Sequence, residues 1–145
     1  MSILKQLTGA QRWVVILTGV TLVLAVANLG KAIVALQYAV DLPDLSTTAP
    51  LSYFAATGGF WGAVFLTCAL GLSGFRHRGR WLTLTAVSLY QIHVWINHLL
   101  FNVSNRAREA APRNLILTIL LLFVFWGSLN LPAVRSVFDE SEGRE

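Results

Sequence analysis

Charged side chains are scarce in this 145-residue chain: Asp, Glu, Lys and Arg make up 12% of it, and apolar residues 55%. A soluble domain carries about a quarter charged residues. The deficit falls in four runs that contain none of these four residue types, at positions 13–30, 45–75, 81–105 and 114–134. Runs of about 18 or more mostly apolar residues are long enough to cross a bilayer. The sequence therefore excludes a soluble globular domain, a disordered chain and a DNA-binding module, and predicts an integral membrane protein.

Cysteine and the motifs of catalysis are also missing. Cys68 is the single cysteine, so neither an intrachain disulfide nor a CxxC redox pair can form. Phosphate-binding loops, nucleophile elbows and metalloprotease motifs are absent. No Asp or Glu lies in an apolar run, although proton-coupled transporters usually rely on an intramembrane carboxylate. No catalytic residue is assigned, and the sequence favours a protein without enzymatic activity.

The few prolines mark the ends of the apolar segments, where a residue without an amide hydrogen interrupts a helix least. With these boundaries, residues 1–145 are predicted to form a single domain, an all-α, polytopic four-helix transmembrane bundle. The predicted spans are about 13–36, 51–74, 81–101 and 113–132, followed by a short disordered acidic tail over 136–145. Residues 1–27 also resemble a signal peptide, and their cleavage stays an open alternative.

Basic residues gather at the ends of the spans and predict the orientation. If the N-terminus is cytoplasmic, the cytoplasmic side holds seven of them and the outer side three: Lys5, Arg12, Arg76, Arg78, Arg80, Arg135 and Arg144 against Arg106, Arg108 and Arg113. Because cytoplasmic loops are enriched in Lys and Arg, we expect a multi-pass protein of the plasma (inner) membrane with both termini cytoplasmic. The three arginines of the turn at 76–80, Arg76, Arg78 and Arg80, are expected to act as a topology signal, with contact to lipid headgroups as the alternative. The net charge of +4 therefore indicates orientation and contact with membrane lipids and not with nucleic acid.

Polar side chains concentrate on the third span. At 100° per residue, Gln91 and His98 lie on one stripe of this helix, and His93 and Asn97 lie on a second stripe roughly 135° away. A helix with this much polar surface cannot face lipid on all sides. Residues at a similar depth on the other spans complete a candidate polar pocket in the outer half of the bundle: Asn28, Lys31, Thr57, Gln91, His93, Asn97, His98 and Thr118.

This polar set has two interpretations. His and Asn side chains commonly hold transmembrane helices together by interhelical hydrogen bonds, and Lys31 is near enough to the outer boundary to extend its ammonium to the headgroups. Alternatively, the set binds a ligand. A haem between His93 and His98 is disfavoured because the two side chains point about 140° apart, and no metal or cofactor is assigned.

Small residues on the second span predict close helix packing. Gly58 and Gly62 form a G-x-x-x-G pattern, and Ala55, Gly59 and Ala63 form a parallel row. Both rows let a neighbouring backbone approach closely. We expect a contact within the chain, with a contact to a second subunit as the alternative.

Two functions follow from this sequence. The first is a non-catalytic accessory or assembly component of a membrane complex, or a homo-oligomer, because the chain has little mass outside the membrane. The second is the binding or transport of a lipid, quinone or other amphipathic small molecule in the polar pocket, with His93, Asn97 and His98 as hydrogen-bonding groups. An enzyme with His93 or His98 as acid–base group ranks below both, since no span carries a carboxylate partner.

Overall fold

The structure is a computed structural model that describes residues 8–41, 50–101 and 105–142 and, within them, all side chains except those of 105–110 and 140–142. This part of the chain forms five α-helices: α1 (Gly9–Asp41), α2 (Leu51–Ser73), α3 (His77–Phe101), α4 (Asn105–Asn130) and α5 (Pro132–Glu142). The all-α prediction is confirmed. Three expectations from the sequence fall on residues outside the described ranges. They are the end of the first helix near Pro43, the start of the predicted 102–111 loop at 102–104, and the end of the acidic tail at 143–145.

Three of the described helices are long and apolar enough to cross a membrane: α1, α2 and the Ala111–Asn130 part of α4. α3 has 25 residues but is not one of the three. Its two polar stripes lower its hydropathy below that of its neighbours. The structure therefore supports a membrane protein with three candidate spans, where the sequence predicted four.

The buried face of α1 is a narrow seam of small and apolar residues. Its members recur at intervals of three or four residues: Val14, Leu17, Thr21, Ala25, Asn28, Ala32 and Ala35. This spacing is the one that keeps two helices in contact when they cross at a small angle. α1 makes its most extensive contact along this seam with α2. Apart from Lys31 and polar residues near the two ends, the exposed residues of α1 are apolar, as expected of a helix in contact with lipid.

The G-x-x-x-G pattern of α2 lies against α1. A Cβ atom built on Gly58 would lie 2.7 Å from the carbonyl oxygen of Asn28, and one on Gly62 would lie 2.5 Å from Cγ of Leu29. In the parallel row, a Cβ on Gly59 would meet nothing within 4 Å. Of the other two members of that row, Ala55 is half-buried and Ala63 is exposed. Of the two rows, the Gly58 and Gly62 row is therefore the one that brings the backbones of α1 and α2 together.

α2 and α3 form a tight antiparallel hairpin. The chain reverses over residues 74–76, where Phe75 adopts a left-handed conformation with φ of 52°. The hairpin closes on a contact between two glycine backbones, Gly71 of α2 and Gly79 of α3. Without side chains at these positions, the two helices cross almost at the turn itself.

The C-terminal third of the chain differs from the sequence prediction in two places. α4 begins at Asn105 and contains Pro112, whereas the sequence predicted a loop up to residue 111. The segment before Pro112 is rich in Ala, Arg and Glu, which favour helix, and transmembrane helices tolerate an internal proline.

The second difference is helix α5, which replaces the predicted disordered tail over residues 136–142. Pro132 suits the first turn of a helix, and Val134 and Phe138, four residues apart, are fully buried. α5 contacts α1, α3 and α4. The acidic composition of the segment predicts disorder, but composition does not report the four-residue spacing of the two buried residues.

Candidate functional site

The candidate site is a half-open pocket of about 380 Å³ between α1, α2 and α3. Its walls are mostly apolar, and Trp61 and Tyr90 form part of them. Five residues of the predicted polar set line it: Asn28, Lys31, Thr57, His93 and Asn97. The pocket lies next to the Gly58 crossing, so the close approach of α1 and α2 positions two of its three walls.

A hydrogen-bonded chain runs along one side of the pocket, from α2 to α3. The Tyr53 hydroxyl donates to Oδ1 of Asn97 at 2.5 Å, and Nδ2 of Asn97 lies 2.9 Å from Nε2 of His93. Since an amide nitrogen can only donate, Nε2 accepts, and the neutral imidazole carries its proton on Nδ1. The rings of Tyr53 and Trp61 lie 6.4 and 5.6 Å from the His93 ring, centroid to centroid. His93 is thus held between two aromatic rings with Nδ1 as its donor.

A second link ties α1 to α3 in the pocket wall. The Tyr90 hydroxyl donates to Oδ1 of Asn28 at 3.3 Å, and Nδ2 of Asn28 donates to the Leu24 carbonyl at 2.8 Å. Asn28 and Tyr90 are both buried. Their polar atoms are therefore paired, which is the condition for placing them in an apolar bundle.

Lys31 is exposed and lines the pocket from α1, whereas Thr57 lines it from α2. The Thr57 hydroxyl donates to the Tyr53 carbonyl at 2.8 Å, so its hydrogen is already used within the helix. No ion pair of Lys31 occurs among the described side chains. The lysine is thus the one cationic group that the structure places at this pocket.

Two other members of the predicted set lie on the opposite side of α3. Gln91 accepts a hydrogen bond of 3.0 Å from the Thr118 hydroxyl, which accepts one of 3.2 Å from the Trp95 indole. The Trp126 indole donates to Ser88 in the same interface with α4. The single polar cluster expected from the sequence is therefore divided into two networks, because the two stripes of α3 face different helices.

His98 lies apart from the α1–α2–α3 pocket. Its ring packs edge-on against Trp95, with the centroids 5.5 Å apart, and it does not line the pocket. His98 follows His93 by five positions, and at 100° of rotation per residue this places the two histidines about 140° apart around the helix.

Arg80 lies at the other end of α3 and differs from the expectation that it meets lipid headgroups. It is 2% exposed, with Nε donating to the Leu129 carbonyl at 2.8 Å and Nη2 donating to Oδ1 of Asn130 at 2.5 Å. The last carbonyls of a helix have no partner within the helix, so this guanidinium caps α4. Arg76 and Arg78 are exposed, as headgroup contact requires.

The electrostatics of Arg80 follow from this burial. Two charged groups act on the guanidinium: Arg135 repels it and Asp139 attracts it. Arginine nevertheless stays protonated in proteins, so the charge persists. It is stabilised by two oxygen acceptors of α4 and by stacking on Trp81, whose ring centroid lies 5.1 Å from Cζ.

Sequence reasoning did not assign Tyr53, Trp61 or Tyr90 to the site. Tyr90 shares a stripe with His93 and Asn97, so its position was readable from helical periodicity. Trp61 and Tyr53 are on α2, and nothing in their spacing shows which face of α2 meets α3. That information comes only from the packed structure.

Comparison of the chain with family models, with curated proteins and with solved structures finds no match in any of the three. The function is therefore argued from the geometry of the site.

Proposed function

We propose that α3 is a fourth membrane-spanning helix, beside the three candidate spans. Its buried polar groups Tyr90 and Gln91 are paired with residues of α1 and α4, which supports a helix enclosed by the others. The tight α2–α3 hairpin fits two antiparallel spans. The lysine and arginine distribution supports cytoplasmic termini in a plasma (inner) membrane.

The function that the geometry supports best is the binding of an amphipathic small molecule, such as a lipid or a quinone, in the α1–α2–α3 pocket. The observation that supports this function is the pocket itself, which combines mostly apolar walls with the polar groups of His93, Asn97 and Lys31. Binding sites for small molecules are typically concave and apolar, about 300–1,000 Å³, with a few polar groups that orient the ligand. A cavity of about 380 Å³ falls within this range.

The polar groups favour a ligand with an oxygen acceptor at one end. Nδ1 of His93 is a donor, because Nε2 accepts from Asn97. Lys31 supplies a positive charge without a carboxylate partner among the described side chains. A carbonyl or carboxylate oxygen of the ligand would accept from these groups, while the apolar part of the ligand packs against Trp61 and Phe54.

Fluorescence of Trp61 tests this function in the purified full-length chain in non-ionic detergent. The probes are dibromostearate and decylubiquinone, since bromine and quinone groups quench indole emission. Because the chain has five tryptophans, the signal of the pocket is the saturable part of the quenching that Trp61→Phe removes. We expect His93→Phe to weaken the binding reported by this part at least about tenfold, a loss that corresponds to one charge-assisted or buried hydrogen bond.

His98→Phe is the matched control, because it removes a histidine from the same helix on the other face. Thr57→Phe fills the pocket from α2 without replacing Asn97 or His93, and it should also abolish the saturable quenching. Equal affinity in His93→Phe, His98→Phe and the unmodified chain for both probes, or quenching that Thr57→Phe leaves intact, would refute the pocket.

A second candidate function is that of an accessory component of a larger membrane complex. It is favoured by helix α4, because only 11% of the most apolar part of this helix is buried against the rest of the chain. A helix with so little internal contact has most of its surface available for lipid or for another membrane protein. Extraction in mild detergent followed by mass measurement tests it, and a lone monomer with no co-purifying protein would contradict it.

A further inference from the structure

A second groove opens between α2 and α3 beside the Gly71–Gly79 contact. This α2–α3 groove encloses about 930 Å³. Apolar Leu70 and Leu82 form part of its walls, one from each helix. It shares no lining residue with the α1–α2–α3 pocket, so the inference from it is independent of the proposed function.

The groove has a cationic mouth. Arg76 and Arg78 both line it and are exposed. Among the side chains that the structure describes, Asp139 takes part in both ion pairs, and neither pair includes Arg76 or Arg78. Because both arginines are exposed, their positive charges are accessible to an anion from outside the protein.

The charges of Arg76 and Arg78 lie at the N-terminal end of α3. α3 begins at His77 and has no acidic residue in its first turn. The N-terminal end of a helix carries a partial positive charge, so adjacent cations repel it and a bound anion is stabilised by both. Arg76 and Arg78 are thus in an arrangement whose electrostatic cost a phosphate would relieve.

Trp81 also lines the α2–α3 groove, together with the arginines of its mouth and the leucines of its walls. Its indole nitrogen donates to Nε2 of His77 at 3.0 Å, and the Arg80 guanidinium lies over its ring. The ring is held in place from two sides. A fixed tryptophan between basic and apolar surface is typical of the level in the membrane where headgroups meet acyl chains.

We propose that the α2–α3 groove binds an anionic phospholipid. Its phosphate lies between Arg76 and Arg78, and one acyl chain follows the groove between Leu70 and Leu82. Charge complementarity selects the anion, and the length of apolar wall next to the charged mouth selects an amphiphile over free phosphate.

Lipid binding to the purified full-length chain tests the site, with adducts counted by native mass spectrometry against phosphatidylglycerol and phosphatidylcholine. We expect the unmodified chain to prefer phosphatidylglycerol, and the double variant Arg76→Gln/Arg78→Gln to lose at least about tenfold in affinity for it. The control Arg12→Gln/Arg113→Gln removes the same number of charges from exposed positions outside the groove and should retain the preference.

A second pair of variants tests the groove itself. Thr85→Trp fills it from α3 and should weaken phosphatidylglycerol binding with both arginines present, whereas Ala63→Trp, outside the groove, should not. Equal losses in the two arginine double variants would show a net-charge effect and overturn the site. So would unchanged binding in Thr85→Trp, or displacement of the lipid by millimolar inorganic phosphate, which would assign the mouth to free phosphate.

Discussion

The backbones of Gly71 and Gly79 touch where α2 and α3 cross: a Cβ atom built on Gly71 would lie 2.8 Å from the Cα atom of Gly79. Real Cβ atoms do not approach another carbon this closely, so neither position accepts a side chain without moving a helix. The contact sets the angle at which the hairpin opens toward the α2–α3 groove.

The first prediction concerns this contact. Gly71→Ala should lower the free energy of unfolding by about 1–3 kcal/mol, the usual effect of overpacking a close contact. Thermal unfolding in detergent measures it. Gly127→Ala is the control, because a Cβ there meets nothing within 4 Å; it should be neutral or raise stability by up to about 1 kcal/mol through helix propensity. Similar melting temperatures for the two variants would contradict the close crossing.

The second prediction concerns the buried arginine. Arg80→Met keeps much of the side-chain volume but leaves the Leu129 carbonyl and the Asn130 amide oxygen without their donor. We expect a loss of about 1.5–3 kcal/mol, as for other hydrogen bonds to a charged group. Arg78→Met, at an exposed position two residues earlier, should change the melting temperature little. If Arg78→Met is as destabilising as Arg80→Met, the cap on α4 is wrong.

The third prediction distinguishes a docked α5 from a disordered tail. Phe138→Ala should cost about 3–5 kcal/mol, because it removes a fully buried aromatic ring. Ser136→Ala, exposed on the same helix, is the matched control. Unfolding followed by circular dichroism reports both. A chain that tolerates Phe138→Ala as well as Ser136→Ala would have a tail that does not pack on the bundle.

The fourth prediction concerns the hydrogen-bonded chain beside the pocket. Tyr53→Phe removes the hydroxyl that donates to Asn97 and should lower stability by about 1 kcal/mol. Tyr38→Phe is the comparison, since Tyr38 is 49% exposed at the same pocket and has no such bond to Asn97. Chemical denaturation of the two variants side by side measures the difference, and its absence would rule out a bond between Tyr53 and Asn97.

The fifth prediction concerns orientation. A Ser104→Cys variant in a Cys68→Ala background should react with a membrane-impermeant maleimide from the outside of intact cells. Cys68 is fully buried, so the unmodified chain should remain unlabelled. Labelling of residue 104 only after the cytoplasmic side is exposed would reverse the proposed orientation.

The fold shows how far sequence reasoning reaches. The helices α1, α2 and α3 follow from runs of apolar residues and their proline or basic ends, because length and hydropathy are local properties of the chain. α5 did not follow from composition. Its stability rests on Val134 and Phe138 being covered by other helices, and no local property of an acidic segment reports that cover.

The site shows the same division. Helical periodicity placed His93 and Asn97 on one stripe of α3 and Gln91 on another, and the structure has them on different faces. Grouping both stripes into one pocket was an assumption about depth alone. Two residues at the same depth can face opposite helices, since depth follows from chain position and facing follows from rotation about the helix axis.

The sequence by itself therefore determined that this protein belongs in a membrane, that it is helical, and which stripes of α3 are polar, because charge distribution and the 100° helical repeat are carried by the chain. Only the tertiary structure decided which stripe lines a pocket and that Arg80 caps α4 instead of meeting lipid. These outcomes depend on which helix lies against which face, and that is set by contacts such as Gly58 on α1 and Gly71 on Gly79. The other two arginines of the turn at 76–80, Arg76 and Arg78, stay exposed in the same packing.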